Sequence, residues 1–524
     1  MSLLKSAATV SGFTLLSRVL GFVRDILLAA LLGAGAVAEA FAVAFRFPNL
    51  FRRFFGEGAF NAAFVPLFAR RLQGEGREPA RRFAEQAFSW LAVVLIGFSA
   101  VAMIAMPLFV WLIAPGFAAE PQKFDLTVVL TRLAFPYLLC MSLVALLSGV
   151  LNSLNRFAMA AAAPVALNVI LIAVLLFAQG KGWQGRAETG IALAIGVMAA
   201  GFVQLFLLWT AAAKAGFALK PRRPVVNDDM KRLLTLGVPG VIAGGITQLN
   251  LLISGIIASF QEQAVAWLYY ADRVYQFPLG LIGVAIGVVL LPDIARRLRA
   301  GDHDGVHDSQ NRALEFAMLL TVPAAFALMA MPQPVIEVMF ERGQFTPADT
   351  RATAQALIAF AAGLPAFVLI KVFSPGFFAR EDTKTPMIFA AVSVGLNIAG
   401  ALALFAVMGH VGIALATSIA SWVNALLLGV TLSKRGAWIT DRRLKRNLPR
   451  ILLAALAMGV VVWGLNHWLG PFFQPEIPFW LRFALLLVMI TAGMIVYFGL
   501  AWLLGAFSPR MLKQALRARR EENA

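Results

Sequence analysis

Long apolar stretches recur along the chain from end to end. A stretch of about 18 residues or more can cross about 30 Å of hydrocarbon as an α-helix. The pattern therefore predicts an all-α polytopic membrane protein with about fourteen transmembrane helices. The second stretch is too long for one straight crossing, and we expect it to tilt or break near Gly56-Glu57-Gly58. The predicted spans are 7–32, 37–69, 84–113, 125–153, 160–179, 188–212, 231–258, 265–293, 312–340, 350–378, 386–407, 411–433, 449–469 and 480–505.

Composition agrees with a membrane protein. Of the 524 residues, 60% are hydrophobic and 14% are charged, and the mean hydropathy is +0.80. Soluble domains are about half apolar and about a quarter charged. The N-terminal stretch contains Arg18, Arg24 and Asp25 and lacks a small-residue cleavage site. We therefore interpret it as a retained first span rather than a signal peptide.

The sequence offers few groups for catalysis. Cys140 is the single cysteine, so neither an intrachain disulfide nor a cysteine metal framework is expected. The chain has no Walker-type phosphate loop, and its four histidines fall in loops or near span ends without an expected carboxylate partner. We therefore expect a transporter rather than an enzyme, with no catalytic residues, no cofactor and no metal site.

The distribution of lysine and arginine predicts the orientation of the spans. The termini and the loops on their side of the membrane hold 31 of the 45 basic residues, and eight more lie within or at the ends of spans. The opposite segments hold six, which are Lys123, Lys181, Arg186, Arg342, Arg351 and Arg482. Because basic loops stay in the cytoplasm, both termini are predicted to be cytoplasmic. Topology then accounts for most of the net charge of +18, and nucleic acid is not expected as a partner.

The chain contains an internal repeat with an offset of 222 to 230 residues. It pairs Phe47-Pro48 with Phe277-Pro278, Met106-Pro107 with Met331-Pro332, Pro136 and Asn168 with Pro365 and Asn397, and Gly190-Ile-Ala-Leu-Ala with the same five residues at Gly412. Six helices per copy predict an N-lobe at 1–215 and a C-lobe at 216–435, related by a pseudo-twofold axis along the membrane normal. The C-terminal part, 436–524, adds two spans with a basic loop and tail. Two such lobes usually surround a central site that opens alternately to each side.

Charged residues inside the predicted spans concentrate in the first two helices of each half. An arginine in hydrocarbon costs at least ~2.5 kcal/mol, so it is expected to face a cavity or a partner. A surplus of guanidinium groups suits phosphate, which arginine binds through two parallel hydrogen bonds. Local pairing is the alternative, because Arg53 and Glu57 are four residues apart and Arg24 has Asp25 or Glu39 within reach. The candidates are Arg18, Arg24 and Asp25 in span 1, Glu39, Arg52, Arg53 and Glu57 in span 2, and the adjacent Asp272 and Arg273 in span 8.

Several of these segments resemble one family. Ser17-Arg-Val-Leu-Gly-Phe-Val-Arg-Asp25, Phe47-Pro-Asn-Leu-Phe-Arg-Arg-Phe-Phe-Gly-Glu-Gly-Ala-Phe60 and Tyr270-Ala-Asp-Arg273 through Pro278 are similar to the MurJ (MviN) lipid II flippases of the MOP exporter superfamily. Ala114-Pro-Gly-Phe117, Leu151-Asn-Ser-Leu-Asn-Arg-Phe157 and Ser374-Pro-Gly-Phe-Phe378 fit the same family. The likeness covers nearly the whole chain and is least clear in the last two spans.

The resemblance implies two six-helix lobes around a cationic cavity that holds the lipid II diphosphate, and a groove for the polyprenyl tail formed by the last two spans. It implies substrate-binding roles for Arg18, Arg24, Arg52 and Arg273. Glu39 matches the family's acid at the start of span 2, where Asp is common. The remaining acids and Arg53 are expected to form ion pairs in the cavity.

The resemblance further implies transport of lipid II from the cytoplasmic to the periplasmic leaflet of a bacterial inner membrane for peptidoglycan synthesis. The expected partners are lipid II and the bilayer, and contacts with the cell-wall synthesis machinery are compatible with this role. The expected oligomeric state is a monomer. Spans 7 and 11 contain no Asp or Glu, which favours the membrane potential over sodium as the driving force. The alternatives are a flippase for another polyprenyl-diphosphate glycan of the O-antigen type, and a multidrug exporter.

Overall fold

The computed structural model describes residues 3–52, 59–474 and 476–506. Side chains are described in these ranges except at 3–8, 51–52, 59–62, 236–247, 249, 251, 281, 284–285 and 287–289. Regular structure in the described ranges is helical, with no β-strand. The first nine α-helices are α1 (Leu3–Leu32), α2 (Ala36–Arg52), α3 (Ala59–Gly74), α4 (Arg77–Ile104), α5 (Met106–Ile113), α6 (Pro121–Ala134), α7 (Tyr137–Ser153), α8 (Ala158–Gly180) and α9 (Ala187–Lys214).

The second nine are α10 (Asp228–Ala258), α11 (Ala264–Arg299), α12 (His303–Ala330), α13 (Pro332–Phe340), α14 (Pro347–Phe378), α15 (Lys384–Met408), α16 (His410–Lys434), α17 (Arg442–Leu469) and α18 (Phe479–Leu503). Short 3-10 helices occupy Pro115–Ala119 and Gly470–Phe472. Each of the fourteen predicted spans coincides with one of these helices or with two consecutive ones. In the described part of the chain, ten spans meet both a length and a hydropathy requirement for crossing a membrane.

Three predicted spans are broken by proline. Pro107 is the second residue of α5, which a single residue separates from α4. Pro332 begins α13, and Pro136 precedes α7. Proline lacks the N–H that would continue the preceding helix, and its fixed φ suits a first helical turn. The two Met-Pro pairs of the internal repeat therefore lie at equivalent helix breaks. The break predicted near Gly56 and Gly58 lies outside the described residues, because α2 ends at Arg52 and α3 begins at Ala59.

The chain divides into two compact units. The first contains Met1–Ala266 with Arg342–Thr346, and the second contains Trp267–Glu341 with Pro347–Ala524. In the first unit α1 packs on α8, α8 and α7 pack on α9, and α3 packs on α10. In the second unit α16 packs on α14 and α15, and α17 packs on α12 and α18. The lobe boundary at residue 215 came from the repeat and stays a prediction.

The last predicted span, α18, is fixed to the second unit by buried polar contacts. Arg482 and Glu337 form an ion pair at 3.1 Å, with each side chain at most 10% exposed. The Tyr497 hydroxyl donates a hydrogen bond to the carbonyl oxygen of Leu319 at 2.6 Å. The sequence count had grouped Arg482 with the sparsely charged segments, at the beginning of the predicted span 480–505, and the structure places it in α18. The residue is a buried structural cation whose partner lies 145 positions earlier in the chain.

Arg482→Met is expected to destabilise the protein by about 3 kcal/mol or more, because it leaves Glu337 buried without its cation. The measurement is the thermal unfolding midpoint of the purified protein in detergent. Adding Glu337→Met to the same chain is expected to recover most of the loss, because the unpaired charge is then removed. Arg351→Met, at an exposed arginine, is the matched control. An unchanged midpoint in the Arg482→Met variant would contradict a stabilising role for the pair.

Candidate functional site

Arg24 lies at the centre of a buried polar cluster in the first unit. Its Nε and Nη2 donate to Asp25 Oδ1 at 3.0 and 2.7 Å, and its Nη1 donates to Asn168 Oδ1 at 2.9 Å. Arg24 is 7% exposed and Asp25 is 3% exposed. The guanidinium also lies 5.9 Å from the centre of the Phe45 ring. A buried arginine is thus held by one carboxylate, one amide and one aromatic ring.

The spacing of residues along α1 builds this cluster. Ser17 and Arg24 are seven residues apart, about two helical turns, so they lie on the same face of α1. Asn168 on α8 reaches both, because its Nδ2 donates to the Ser17 carbonyl oxygen at 2.9 Å while its Oδ1 accepts from Arg24. Gly21 lies between them and faces the same amide. Asn168 therefore ties α8 to α1 at the arginine.

Sequence reasoning did not select Asn168 as a site residue. In the sequence, Asn168 was used only to define the internal repeat, in which it corresponds to Asn397. Asn397 lies in α15 and is 2% exposed. A polar amide inside an apolar span is itself a signal, because it needs partners in a place that water does not reach. The structure identifies that partner as the candidate arginine.

Arg18 differs from Arg24 in its surroundings. It lies six residues earlier on α1, which is about 9 Å along the axis and on another face. Its side chain is exposed, and none of the described side chains forms an ion pair or hydrogen bond with it. The two arginines of α1 thus differ, because Arg24 is buried and bonded to an acid and Arg18 is exposed.

Glu39 forms a second buried ion pair. Lys123 Nζ lies 2.8 Å from Glu39 Oε2, and each side chain is at most 3% exposed. The Val265 N–H donates to Glu39 Oε1 at 3.1 Å, and Lys123 also pairs with Glu120 at 2.9 Å. These contacts connect the beginnings of α2, α6 and α11. Sequence counting had placed Lys123 in a loop, and this was wrong because the residue is helical and buried.

The Ala114–Phe117 motif lies next to this pair. The Phe117 ring lies 4.4 Å from Lys123 Nζ and supplies a cation–π contact. Gly116 donates its N–H to Ser259 Oγ at 3.0 Å, and a Cβ at this glycine would lie 2.1 Å from the Ser259 carbonyl oxygen. Only glycine fits so close to another backbone. The motif thus brings the end of α10 against the lysine that neutralises Glu39.

The remaining candidates are placed as follows. The backbone of Arg52 ends α2, while its side chain, and all of Arg53 and Glu57, lie outside the described residues. In the second unit, the Arg273 guanidinium lies 4.7 Å from the centre of the Tyr269 ring. Asp272 accepts a hydrogen bond from the Gln276 side chain, one turn further along α11. The Tyr269 ring thus contacts the Arg273 guanidinium through a cation–π interaction.

Comparison with known proteins identifies the family. The family model described as "Lipid II flippase MurJ" matches residues 28–507. A relative from Rhizobium meliloti named "Probable lipid II flippase MurJ" is 49% identical over 99% of this chain and 97% of its own length. The chain belongs to the MurJ lipid II flippase family.

The solved structures agree with this assignment. A MurJ structure described as "inward closed conformation" matches with a TM-score of 0.77 and 25% identity, covering 94% of this chain and 97% of that one. An inward-facing MATE transporter of the MOP superfamily matches in fold, with a TM-score of 0.67 and 13% identity over 82% of this chain and 98% of that one. The all-α polytopic fold predicted from the sequence is confirmed. MurJ membership implies transport rather than catalysis, in a multi-pass protein of the inner membrane.

The chemistry of the described site fits anion binding. In the part of the chain that the structure describes, no group of three or more His, Cys, Asp or Glu side chains is arranged to hold a metal ion. Arg24 is bonded to a carboxylate, that of Asp25, and to an amide, that of Asn168. Arginine binds carboxylate and phosphate with the same planar set of donors, so one can replace the other.

Lys123→Met is expected to lower the stability of the protein by about 3 kcal/mol or more, since Glu39 would stay buried without its cation. The thermal unfolding midpoint in detergent measures the effect, and Lys181→Met at an exposed lysine is the control for loss of one charge. Glu39→Gln combined with Lys123→Met is expected to recover most of the midpoint. A double variant no more stable than Lys123→Met alone would argue against the charge pair as the cause.

Proposed function

We propose that this protein translocates lipid II from the cytoplasmic to the periplasmic leaflet by alternating access, with both termini in the cytoplasm. The observation that carries the proposal is the family match across residues 28–507. The sequence count of lysine and arginine, 31 against 6, supports the orientation, and the contrast is larger once the buried Lys123 and Arg482 are left out of the six. The arginines of α1 support an anionic substrate, because Arg18 is exposed and Arg24 already binds a carboxylate, that of Asp25.

In this proposal Arg18, Arg24, Arg52 and Arg273 bind the diphosphate. Asp25 keeps Arg24 neutralised while the cavity is empty, and a phosphate oxygen replaces the carboxylate when substrate arrives. The exchange avoids the state in which a buried guanidinium has no anion, which is the costly state in a low-dielectric site. Glu39, Arg53, Glu57 and Asp272 act as the further ion-pairing groups of the cavity.

The membrane potential supplies the driving force in this proposal. The diphosphate carries at least two negative charges, and each charge that crosses 100 mV gains about 2.3 kcal/mol. Outward movement of the diphosphate from a negative interior is therefore favoured by roughly 4–5 kcal/mol at that potential. The absence of Asp and Glu from spans 7 and 11 supports potential over sodium coupling. A monomer suffices for this cycle, and contacts with the cell-wall synthesis machinery are compatible with it.

Arg24→Ala and Arg18→Ala are each expected to reduce translocation by about ten- to a hundredfold, because a hydrogen bond to a charged group contributes about 1.5–3 kcal/mol. The measurement is the exposure of lipid II on the periplasmic face of cells in which this chain is the only flippase. Arg82→Ala, at an exposed arginine of α4 that pairs with Glu78, is the control. Normal growth and normal lipid II exposure, at equal protein levels, would rule out the proposed arginine site.

Reconstitution separates the driving force from the substrate. Purified protein in vesicles is given lipid II, with the potential set by a potassium gradient and sodium varied independently. Translocation is expected to follow the potential at constant sodium. A dependence on the sodium gradient alone would overturn the proposed coupling, and equal transport of an O-antigen-type polyprenyl diphosphate would overturn the proposed selectivity for lipid II.

A further inference from the structure

The two units contain the same unusual turn between corresponding helices. Asn155, between α7 and α8, has φ +58°, and Glu381, between α14 and α15, has φ +61°. The Arg156 N–H donates to the Leu151 carbonyl oxygen at 2.9 Å, as the Asp382 N–H donates to that of Phe377 at 3.1 Å. The offset is 226 residues at each of these positions. Because residues other than glycine rarely adopt positive φ, the shared turn is a specific feature of both units.

The second unit completes this turn with its own acid. Asp382 accepts hydrogen bonds from the Thr385 N–H at 2.9 Å and the Thr385 hydroxyl at 2.6 Å, at the start of α15. It also pairs with Arg435, just after α16, at 2.7 Å. The bonds from Thr385 and Arg435 lower the pKa of Asp382 to about 2. A carboxylate thus joins the positive start of one helix to a cation at the end of another.

The first unit has cations at both corresponding places. Arg156 occupies the position equivalent to Asp382, and Lys214 ends α9 as Lys434 ends α16, directly before Arg435. Neither the Arg156 nor the Lys214 side chain has a hydrogen-bond or ion-pair partner among the described residues. Neither N-cap residue, Phe157 before α8 or Thr383 before α15, makes a side-chain cap bond, and at the start of α15 it is Asp382 that accepts from the Thr385 N–H. The carboxylate that completes the second unit therefore has no counterpart in the first.

A cavity of about 510 Å³ lies at this position in the first unit. Its walls are largely apolar, with Leu151, Phe157, Met159 and Leu207 among the lining side chains, and Arg156 and Lys214 supply its charge. Among the described residues no Asp or Glu lines it. The predicted topology places it at the cytoplasmic face. A phosphate carried by a lipid matches an apolar cavity with two cations.

We propose that this cavity binds the headgroup of an anionic phospholipid from the cytoplasmic leaflet, with the phosphate in the place that the Asp382 carboxylate has in the second unit. The volume suits a glycerophosphate headgroup with the first part of its chains, since cavities of 300–1,000 Å³ hold molecules of this size. Basic pockets between helices at the cytoplasmic surface are typical sites for such lipids. The proposal rests on the predicted orientation and is independent of the transported substrate.

The test uses the full-length protein, purified and stripped of lipid, with fluorescent short-chain phosphatidylglycerol as the probe. Lys214→Ala is expected to weaken binding about fivefold, because one basic residue near an anionic lipid contributes about that factor. Arg156→Asp is expected to abolish binding, because it gives Lys214 the carboxylate partner that Arg435 has in the second unit. Arg223→Ala, at an exposed basic residue of the α9–α10 linker, is the control and is expected to bind as the parent does.

Competition distinguishes the source of the phosphate. Unlabelled phosphatidylglycerol is expected to displace the probe, whereas phosphatidylcholine, inorganic phosphate and glycerol 3-phosphate are expected to be at least tenfold weaker. If inorganic phosphate displaced the probe as well as phosphatidylglycerol does, the cavity would be a general anion site rather than a lipid site, and the proposal would be overturned. Unchanged probe binding in Arg156→Asp and Lys214→Ala would also overturn it. The unfolding midpoint shows that Arg156→Asp is folded, and if it is not, Lys214→Ala provides the decisive comparison.

Discussion

The structure depends on one electrostatic constraint, which is that a charge buried away from water needs a counter-charge or a set of hydrogen bonds. The buried cations Arg24, Lys123 and Arg482 each have a carboxylate partner within 3.1 Å. Arg132, which is half-buried, donates instead to the carbonyl oxygen of Met103 at 2.9 Å. Such pairs add little net stability, but removal of one partner is costly. The constraint therefore limits the positions in the spans at which a charged side chain is stable. It also limits which of these side chains can exchange their partner for a substrate.

These buried ion pairs differ in whether a movement of helices would have to break them. Arg24 and Asp25 are neighbours on α1, so the pair moves with that helix and stays neutral wherever the helix goes. Glu39 and Lys123 join different helices, and the Val265 N–H adds a third element. If these helices separated, Glu39 and Lys123 would each be an unpaired charge in a low-dielectric interior, unless water or another ion replaced the lost partner. A pair within one helix therefore suits ligand exchange, whereas a pair between helices resists their separation.

Much of the fold follows from the sequence because length and hydropathy are local properties. The fourteen apolar runs predicted every helix or helix pair, and the Met-Pro pairs of the repeat marked two of the breaks between helices. The pairing of Arg24 with Asp25 was foreseen as one of two alternatives. The roles of Lys123 and Arg482 were not, because their partners lie 84 and 145 positions away and only tertiary packing brings them together. Counting charges by loop cannot distinguish a solvated lysine from a buried one.

The turn shared by the two units, at Asn155 and at Glu381, shows how the need for a counter-charge can involve the lipid bilayer as well as the protein. Asn155 and Glu381 give the two turns the same backbone, so the difference between them is one of charge rather than of geometry. In the second unit the chain itself supplies the anion, because the Asp382 carboxylate neutralises Arg435 without any bound ligand. In the first unit Arg156 and Lys214 line one cavity, and no Asp or Glu is among its described lining residues. An anionic membrane surface offsets two such cations at the cytoplasmic face. The bilayer can therefore serve as the counter-charge that the chain itself supplies elsewhere.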